Sequence, residues 1–179
     1  AVVAIQVGEG QESYQSEITQ IQQANPDAIF YAGYEIEAPY LRFEAVQAGI
    51  DVPLLASDGA FLSATIDEAE GTAEGRYVSG FAPSPQQAVD AAWIKRYQEV
   101  EYRNPDTYSI NGYTALQVLA QGVREANALG TDKVSDAIRT LTIETTMGEL
   151  AYEANGDLRA ATVFIFEVRD DAFQQVYPE

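Results

Sequence analysis

The sequence has no cysteine and no histidine. Those two absences exclude disulfides, thiolate chemistry, imidazole acid–base catalysis and most zinc sites. They leave the compartment open, since an oxidising one also disfavours a free thiol. Lysine is nearly missing, with Lys95 and Lys133 as its two occurrences. Asp and Glu total 28 against 10 Lys and Arg, a net charge of −18. Nucleic acid is therefore excluded as a partner, because its binders need clustered cations to displace phosphate counterions. Anionic membrane surfaces are disfavoured for the same reason. An acid-rich, lysine-poor surface suits high salt, where ions screen self-repulsion, although many soluble proteins are simply acidic. No apolar run approaches the ~20 residues of a membrane-spanning helix. The opening residues do not resemble a signal peptide and read instead as the strand-like run "AVVAIQV", as expected of a mature protein or of a fragment.

What is present is enough to fold. Apolar residues make up 46% of 179, which suits one domain of ordinary size or parts of two lobes. Val2 to Val7 is expected to be a strand ending at "GEG". Tyr14, Ile18 and Ile21 recur at helical spacing until "NPD", Asn25 to Asp27, stops them. "AIFYAG", Ala28 to Gly33, is a second strand. Pro39 suits the first turn of a helix with Leu41, Ala45 and Ala48 on its inner face and Gly49 at its end. "VPLLAS" is the third strand. Alternating strands and helices predict a parallel sheet with right-handed crossovers.

A weak helix over about Leu62 to Ala69 and a strand at "RYVSGF" come next. "APSP", Ala82 to Pro85, reads as a hinge. Beyond it, Val89, Trp93, Tyr97 and Val100 form one helical stripe, and Ile110, Tyr113, Leu116, Ala120 and Val123 a longer one. Thr131 is placed to cap a third helix carrying Val134, Ile138 and Leu141. Asn155-Gly156 is a hairpin signal, and "ATVFIFEV", Ala161 to Val168, the most strand-like segment.

Ligands of open parallel sheets bind beyond the carboxyl ends of the strands. Three loops leave such ends, carrying Gly8, Glu9 and Gly10, then Gly33 and Tyr34, then Asp58 and Gly59. Glycines let backbone approach a ligand closely. Asp58 is either a rim carboxylate, or a cap for the next helix, or both. Tyr34 taken alone is more often a packing residue with a wet tip. "GEG" lacks the lysine and hydroxyl of a phosphate loop. Glu9 and Asp58 could in principle hold Mg²⁺ for phosphohydrolase chemistry. That chemistry wants an Asp-x-Asp pair and a lysine at a strand end, and neither lysine is placed there. No cofactor, metal or catalytic residue is expected.

The stretch "ITQIQQANPDAIFYAGYEIEAPYLRFEAVQAGIDVPLLASDGAF", with "AEGRYVSGF", "NGYTALQVLAQGVREA" and "MGELAYEANGDL", resembles the periplasmic binding proteins for branched-chain amino acids that feed ABC transporters. The resemblance covers nearly the whole chain. It implies a type I periplasmic-binding fold of two α/β, Rossmann-like lobes with hinge crossovers, incomplete here. Residues 1–81 would belong to the second lobe, 82–85 to the hinge, 86–158 to the first lobe, and 159–179 to a crossover and the return to the second lobe. The family has a tyrosine after the "AG" that closes a second-lobe strand, matched by Tyr34. Its acid before glycine, holding the ligand's α-ammonium, is matched by Asp58 with Gly59. Its aromatic before the "YTAL" helix, lying on the ligand side chain, is matched by Tyr108. The serine and threonine contacts to the ligand carboxylate would precede Ala1.

The resemblance further implies a non-enzymatic, periplasmic or extracellular protein, with or without a lipid anchor, that is monomeric when complete. Its partners would be a small amino acid and a membrane permease. The ligand-sensing domain of a receptor or regulator, taking an amide, urea or an aromatic acid, is the alternative.

Overall fold

The computed structural model describes residues 3–106 and 108–178. In chain order the elements are α1 (Gln15–Ala24), β1 (Ile29–Tyr31), α2 (Ala38–Gln47), β2 (Leu54–Ala56), a 3₁₀ turn (Asp58–Ala60), α3 (Ala64–Asp67) and β3 (Tyr77–Gly80). Then come α4 (Pro85–Ala88), α5 (Ala91–Glu101), α6 (Ser109–Ala126), α7 (Thr131–Thr140), β4 (Thr142–Thr145), β5 (Gly148–Ala151), β6 (Phe164–Arg169) and β7 (Ala172–Tyr177). The chain divides into two compact units, one of Ala1–Gly80 with Phe164–Glu179, the other of Phe81–Val163.

The first unit is built on a five-stranded sheet of order β1-β2-β3-β6-β7. Its first three strands are parallel, as alternating strand and helix dictate. β6 and β7 then add antiparallel, so the sheet is mixed. Val78 and Phe166 point to the same face and join Ala38, Leu54, Ala56, Ala60 and Phe61 in one core. Phe61 anchors it, its ring 4.3 Å from Phe166 and 4.8 Å from Phe173. A second cluster forms where α1 and α2 meet, from Tyr14, Ile18, Leu41, Ala45 and Ile50.

Two expectations for this unit are corrected. The described part of the Val2–Val7 run, Val3 to Val7, forms no strand. Among the described residues β1 has a ladder partner on its β2 side alone. Without a ladder the segment has nothing to pair its backbone with. Val7 packs against the α1–α2 cluster instead, and Val3 is exposed. The other correction is β7, a strand that local sequence signals do not announce. Its hairpin turns on Asp170 and Asp171, both left-handed (φ 54° and 57°). That turn normally advertises itself with Asn-Gly or Asp-Gly.

In the second unit, Tyr102 in a left-handed conformation ends α5. Val89 lies outside that helix, because Asp90 caps it and accepts from the Trp93 amide at 2.7 Å. The Trp93 ring stacks on Tyr97 and meets Tyr113 of α6 edge-on. Gly122 lets α6 and α7 close together, since a methyl group there would collide with the Ile138 side chain. Gly130, not Thr131, occupies the cap position of α7, and Thr131 is its first helical residue. The Asn155-Gly156 turn forms but closes a single bridge, Tyr152 to Leu158. The laddered hairpin is β4–β5, one turn earlier.

Asp90→Ala is expected to destabilise the chain by about 1 kcal/mol, the usual loss when an N-cap acceptor is removed. Urea unfolding followed by helical circular dichroism checks this. An unchanged midpoint would mean α5 does not depend on its cap.

Candidate functional site

The parallel strands β1 and β2 end side by side, with Tyr31 paired to Ala56 in register. The loops leaving these two ends are held together by short polar links. The Ser57 amide donates to the Tyr31 carbonyl at 2.9 Å, and Ser57 Oγ donates to the Gly33 carbonyl at 3.0 Å. Gly59 completes the junction. A Cβ there would lie 2.6 Å from the Gly33 carbonyl oxygen and 2.9 Å from the Tyr34 ring. Glycine is thus required by contact rather than by a left-handed backbone. Tyr34 is 69% exposed and rests on this glycine.

Asp58 opens the 3₁₀ turn and is partly buried. It is not a helix N-cap, because Ser57 and Ser63 hold the cap positions of the two helical elements that come next. Tyr34, Asp58 and Gly59 therefore come together at one sheet edge. Tyr108 belongs to the other unit, at the cap position of α6 and 46% exposed.

A buried scaffold supports this edge. Glu37, 4% exposed at the start of α2, accepts from the Gly10 amide at 3.1 Å and from Tyr31 Oη at 3.2 Å. It thereby ties the "GEG" loop to the end of β1. An acid at a helix N-terminus also suits the helix dipole. Gly33 is needed because a Cβ would strike the Tyr31 ring. A groove of about 420 Å³ lies beside the scaffold, lined by Gly10, Gln11, Glu12, Tyr14, Ile36 and Tyr40. Tyr34, Asp58 and Gly59 are not among its lining residues.

The roles of Glu37 and Ser57 are not evident from the sequence alone. The available signals were an acid two residues before a helix-starting proline and a hydroxyl directly after an apolar run. Glu9 is exposed and takes no part in these links.

The scaffold has a titration consequence. Burial, then the charge and hydrogen bond of Glu37, push the Tyr31 phenol well above its ordinary value. Burial chiefly, with the charges of Glu37, Glu17 and Glu44, also raises Tyr14. Both phenols stay neutral in the folded chain where they would ionise unfolded. Their contribution to stability is therefore complete below an unfolded value of about 10 and is lost as pH rises through the folded values. Absorbance titration is expected to show Tyr31 and Tyr14 ionising later than the exposed tyrosines for as long as the chain stays folded. Tyr31→Phe should remove one of them. Uniform ionisation near pH 10 would contradict the buried hydrogen bond.

No helix among the described residues is long and apolar enough to cross a membrane. No group of three or more acidic side chains among them could hold a metal ion. Tyr34, Asp58 and Gly59 thus lie beyond the carboxyl ends of parallel strands, the edge at which open α/β sheets bind ligands.

Comparison with known proteins agrees. A family model described as "Periplasmic binding protein" matches residues 1–172, and the chain belongs to that family. It is 25% identical over 163 residues to a leucine-, isoleucine-, valine-, threonine- and alanine-binding protein of Pseudomonas aeruginosa, covering 91% of this chain and 44% of the relative. A Leu/Ile/Val-binding protein homolog of Brucella suis is 24% identical over 153 residues, covering 84% and 41%.

Among solved structures, the leucine-binding protein LivK of Thermotoga maritima superposes with a TM-score of 0.82 at 24% identity, over 93% of this chain and 48% of that one. LivJ of Streptococcus pneumoniae, in complex with isoleucine, gives 0.78 at 20% identity, with the same coverages. A solute-binding protein of R. palustris in complex with benzoate gives 0.75 at 15%, over 95% and 48%. The fold is thus that of the periplasmic binding proteins, and the chain spans about half the length of the relatives it matches. Those relatives are named for what they bind and not for a reaction.

Proposed function

We propose that this chain is part of an extracytoplasmic solute-binding protein that captures a branched-chain or related amino acid by cleft closure and delivers it to an ABC permease. On this reading residues 1–81 and the return segment are the second lobe, 82–85 the hinge, and 86–158 part of the first lobe. The observation that carries it is the junction of Tyr34, Asp58 and Gly59 at neighbouring strand ends. Asp58 pairs with the α-ammonium group. Gly59 keeps the floor low enough for the ligand backbone. Tyr34 donates to the carboxylate or accepts from the ammonium. Tyr108 offers ring area to an aliphatic side chain. No bond is made or broken; closure follows from tighter binding to the closed state. The names of the relatives support an amino-acid ligand.

The test is calorimetric titration of a two-lobed version, of the relatives' length, with leucine, isoleucine, valine, threonine, alanine, urea and benzoate. Binding of at least one amino acid with micromolar affinity or better is expected. Binding of benzoate with no amino acid bound would overturn both the amino-acid ligand and the ammonium role of Asp58.

A further inference from the structure

One row of residues runs straight across the five-stranded sheet: Phe30, Leu55, Tyr77, Glu167 and Gln174, each paired in register with the next. Side chains alternate along a strand, so this row lies on the face opposite Ile29, Tyr31, Leu54, Ala56, Val78 and Phe166. Those six residues face the core, where α1, α2 and α3 pack. No member of the row joins a core cluster among the described residues. The row changes character where the sheet does. On β6 and β7 it is polar: Glu167 accepts from Arg169 Nε at 2.8 Å, and Gln174 is exposed. On the parallel strands it is Phe30, Leu55 and Tyr77, with Phe30 64% exposed. An antiparallel sheet can leave one face to water, whereas parallel strands are covered on both.

The edge of the sheet is bare at the same place. The Ile29 amide donates to the Pro53 carbonyl at 2.9 Å, and the Tyr31 carbonyl accepts from the Ser57 amide, so both residues address the β2 side. The amide and carbonyl of Phe30, between them, point outward, where β1 has no neighbour among the described residues. Val3 to Val7 has a strand's composition and no ladder either.

We propose that a strand–helix unit outside these 179 residues completes the first unit: its strand pairs parallel with β1 at the Phe30 edge, and its helix covers Phe30, Leu55 and Tyr77. The handedness of the fold links the bare edge to the bare face. Right-handed crossovers stepping from β1 to β2 to β3 put α2 and α3 on the core face. A right-handed crossover stepping the other way, from the incoming strand out to Val3–Val7, puts its helix on the opposite face, where the apolar row stands open. The same strand gives Val3–Val7 the ladder it lacks. The occupant belongs to the same polypeptide, because β1 is three residues long and so short an edge cannot repay the entropy of capturing a separate molecule. It rests on the reading above that the chain is part of a longer protein: the chain spans 44% and 48% of two relatives, which leaves ample length for one strand and one helix.

The two-lobed version, without ligand, is the sample that tests it. Hydrogen exchange at the Phe30 amide is expected to be slowed by roughly 100-fold or more relative to an unpaired amide. Separately, cysteine is placed singly at Phe30 and at Gln174, where no native thiol of this chain competes. Phe30→Cys is expected to be alkylated at least about tenfold more slowly than Gln174→Cys, which shares its row but lies on the polar side. A Phe30 amide that exchanges freely, or a Phe30→Cys as reactive as Gln174→Cys, would overturn the proposal. So would protection that vanishes on dilution, which would assign the surface to a second copy. The amide is read without any substitution, so a variant that fails to fold does not remove the test. Neither reading needs the ligand. Protection of Phe30 with no amino acid bound upholds the missing unit against the transport reading, and an open Phe30 in a version that binds leucine does the reverse.

Discussion

Replacing Asp58 by alanine in a two-lobed version of the protein is expected to weaken amino-acid binding by about 30-fold to several thousand-fold. That range corresponds to the ~2–5 kcal/mol lost when one partner of a buried, hydrogen-bonded charge pair is truncated. Much of that loss is the penalty of leaving the ligand's ammonium group desolvated and unmatched. Asp58→Asn separates charge from shape. It keeps an acceptor and the side-chain volume, so most of the loss should remain if charge pairing is the cause. Asp58 opens a 3₁₀ turn without serving as an N-cap, so the next helix has no reason to unravel. Calorimetric affinity unchanged in Asp58→Ala would remove this residue from the site.

Gly59→Ala should act on the scaffold and the site together. The backbone at Gly59 is one any residue can adopt, so the effect would come from contact alone. The added methyl group would meet the Gly33 carbonyl oxygen at 2.6 Å, and backbone cannot swing aside as a flexible side chain can. Overpacking of this kind costs about 1–3 kcal/mol. Relief requires the two strand-end loops to part, which would loosen the Ser57 link to Gly33 and move the Tyr34 ring. A lower denaturation midpoint and weaker ligand binding are therefore expected in the same variant. If both parameters match the unaltered protein, the close approach of the two loops is not a structural requirement.

The parallel half of the first sheet was legible because its signals are local. Period-3.6 apolar spacing marked α1 and α2, Pro39 and Gly49 marked the ends of α2, and short apolar runs marked β1 and β2. The elements that escaped depend on distant partners or unusual turn chemistry. Val3 to Val7 has a strand's composition, yet a strand exists only where a ladder meets it. β4 is "TIET", three of its four residues polar, flanked by no turn glycine on its upstream side, and it is defined by its pairing with β5. β7 comes after two aspartates in a conformation that glycine or asparagine would have announced.

The same division runs through the site. Asp58, Gly59 and Tyr34 stood out by position after apolar runs. Glu37 did not, because its role lies in joining Gly10 to Tyr31, residues far apart in the chain until the fold assembles them. The burial of Arg76, just before β3, was invisible for the opposite reason: an arginine inside "EGRYVSGF" reads as an exposed end of a strand, and nothing local says that β6, β7 and α3 close over it.

The first unit is made from two separated stretches, and β3 finds its neighbour β6 only after the whole second unit has intervened. During synthesis β1 to β3 emerge from the ribosome before β6 and β7, with Phe61 still lacking Phe166 and Phe173. The intervening unit, being continuous, has all its partners to hand earlier. Completion of the longer sheet thus waits for β6 and β7, and until they arrive a nascent chain would display an uncovered aromatic surface of the sort that chaperones engage.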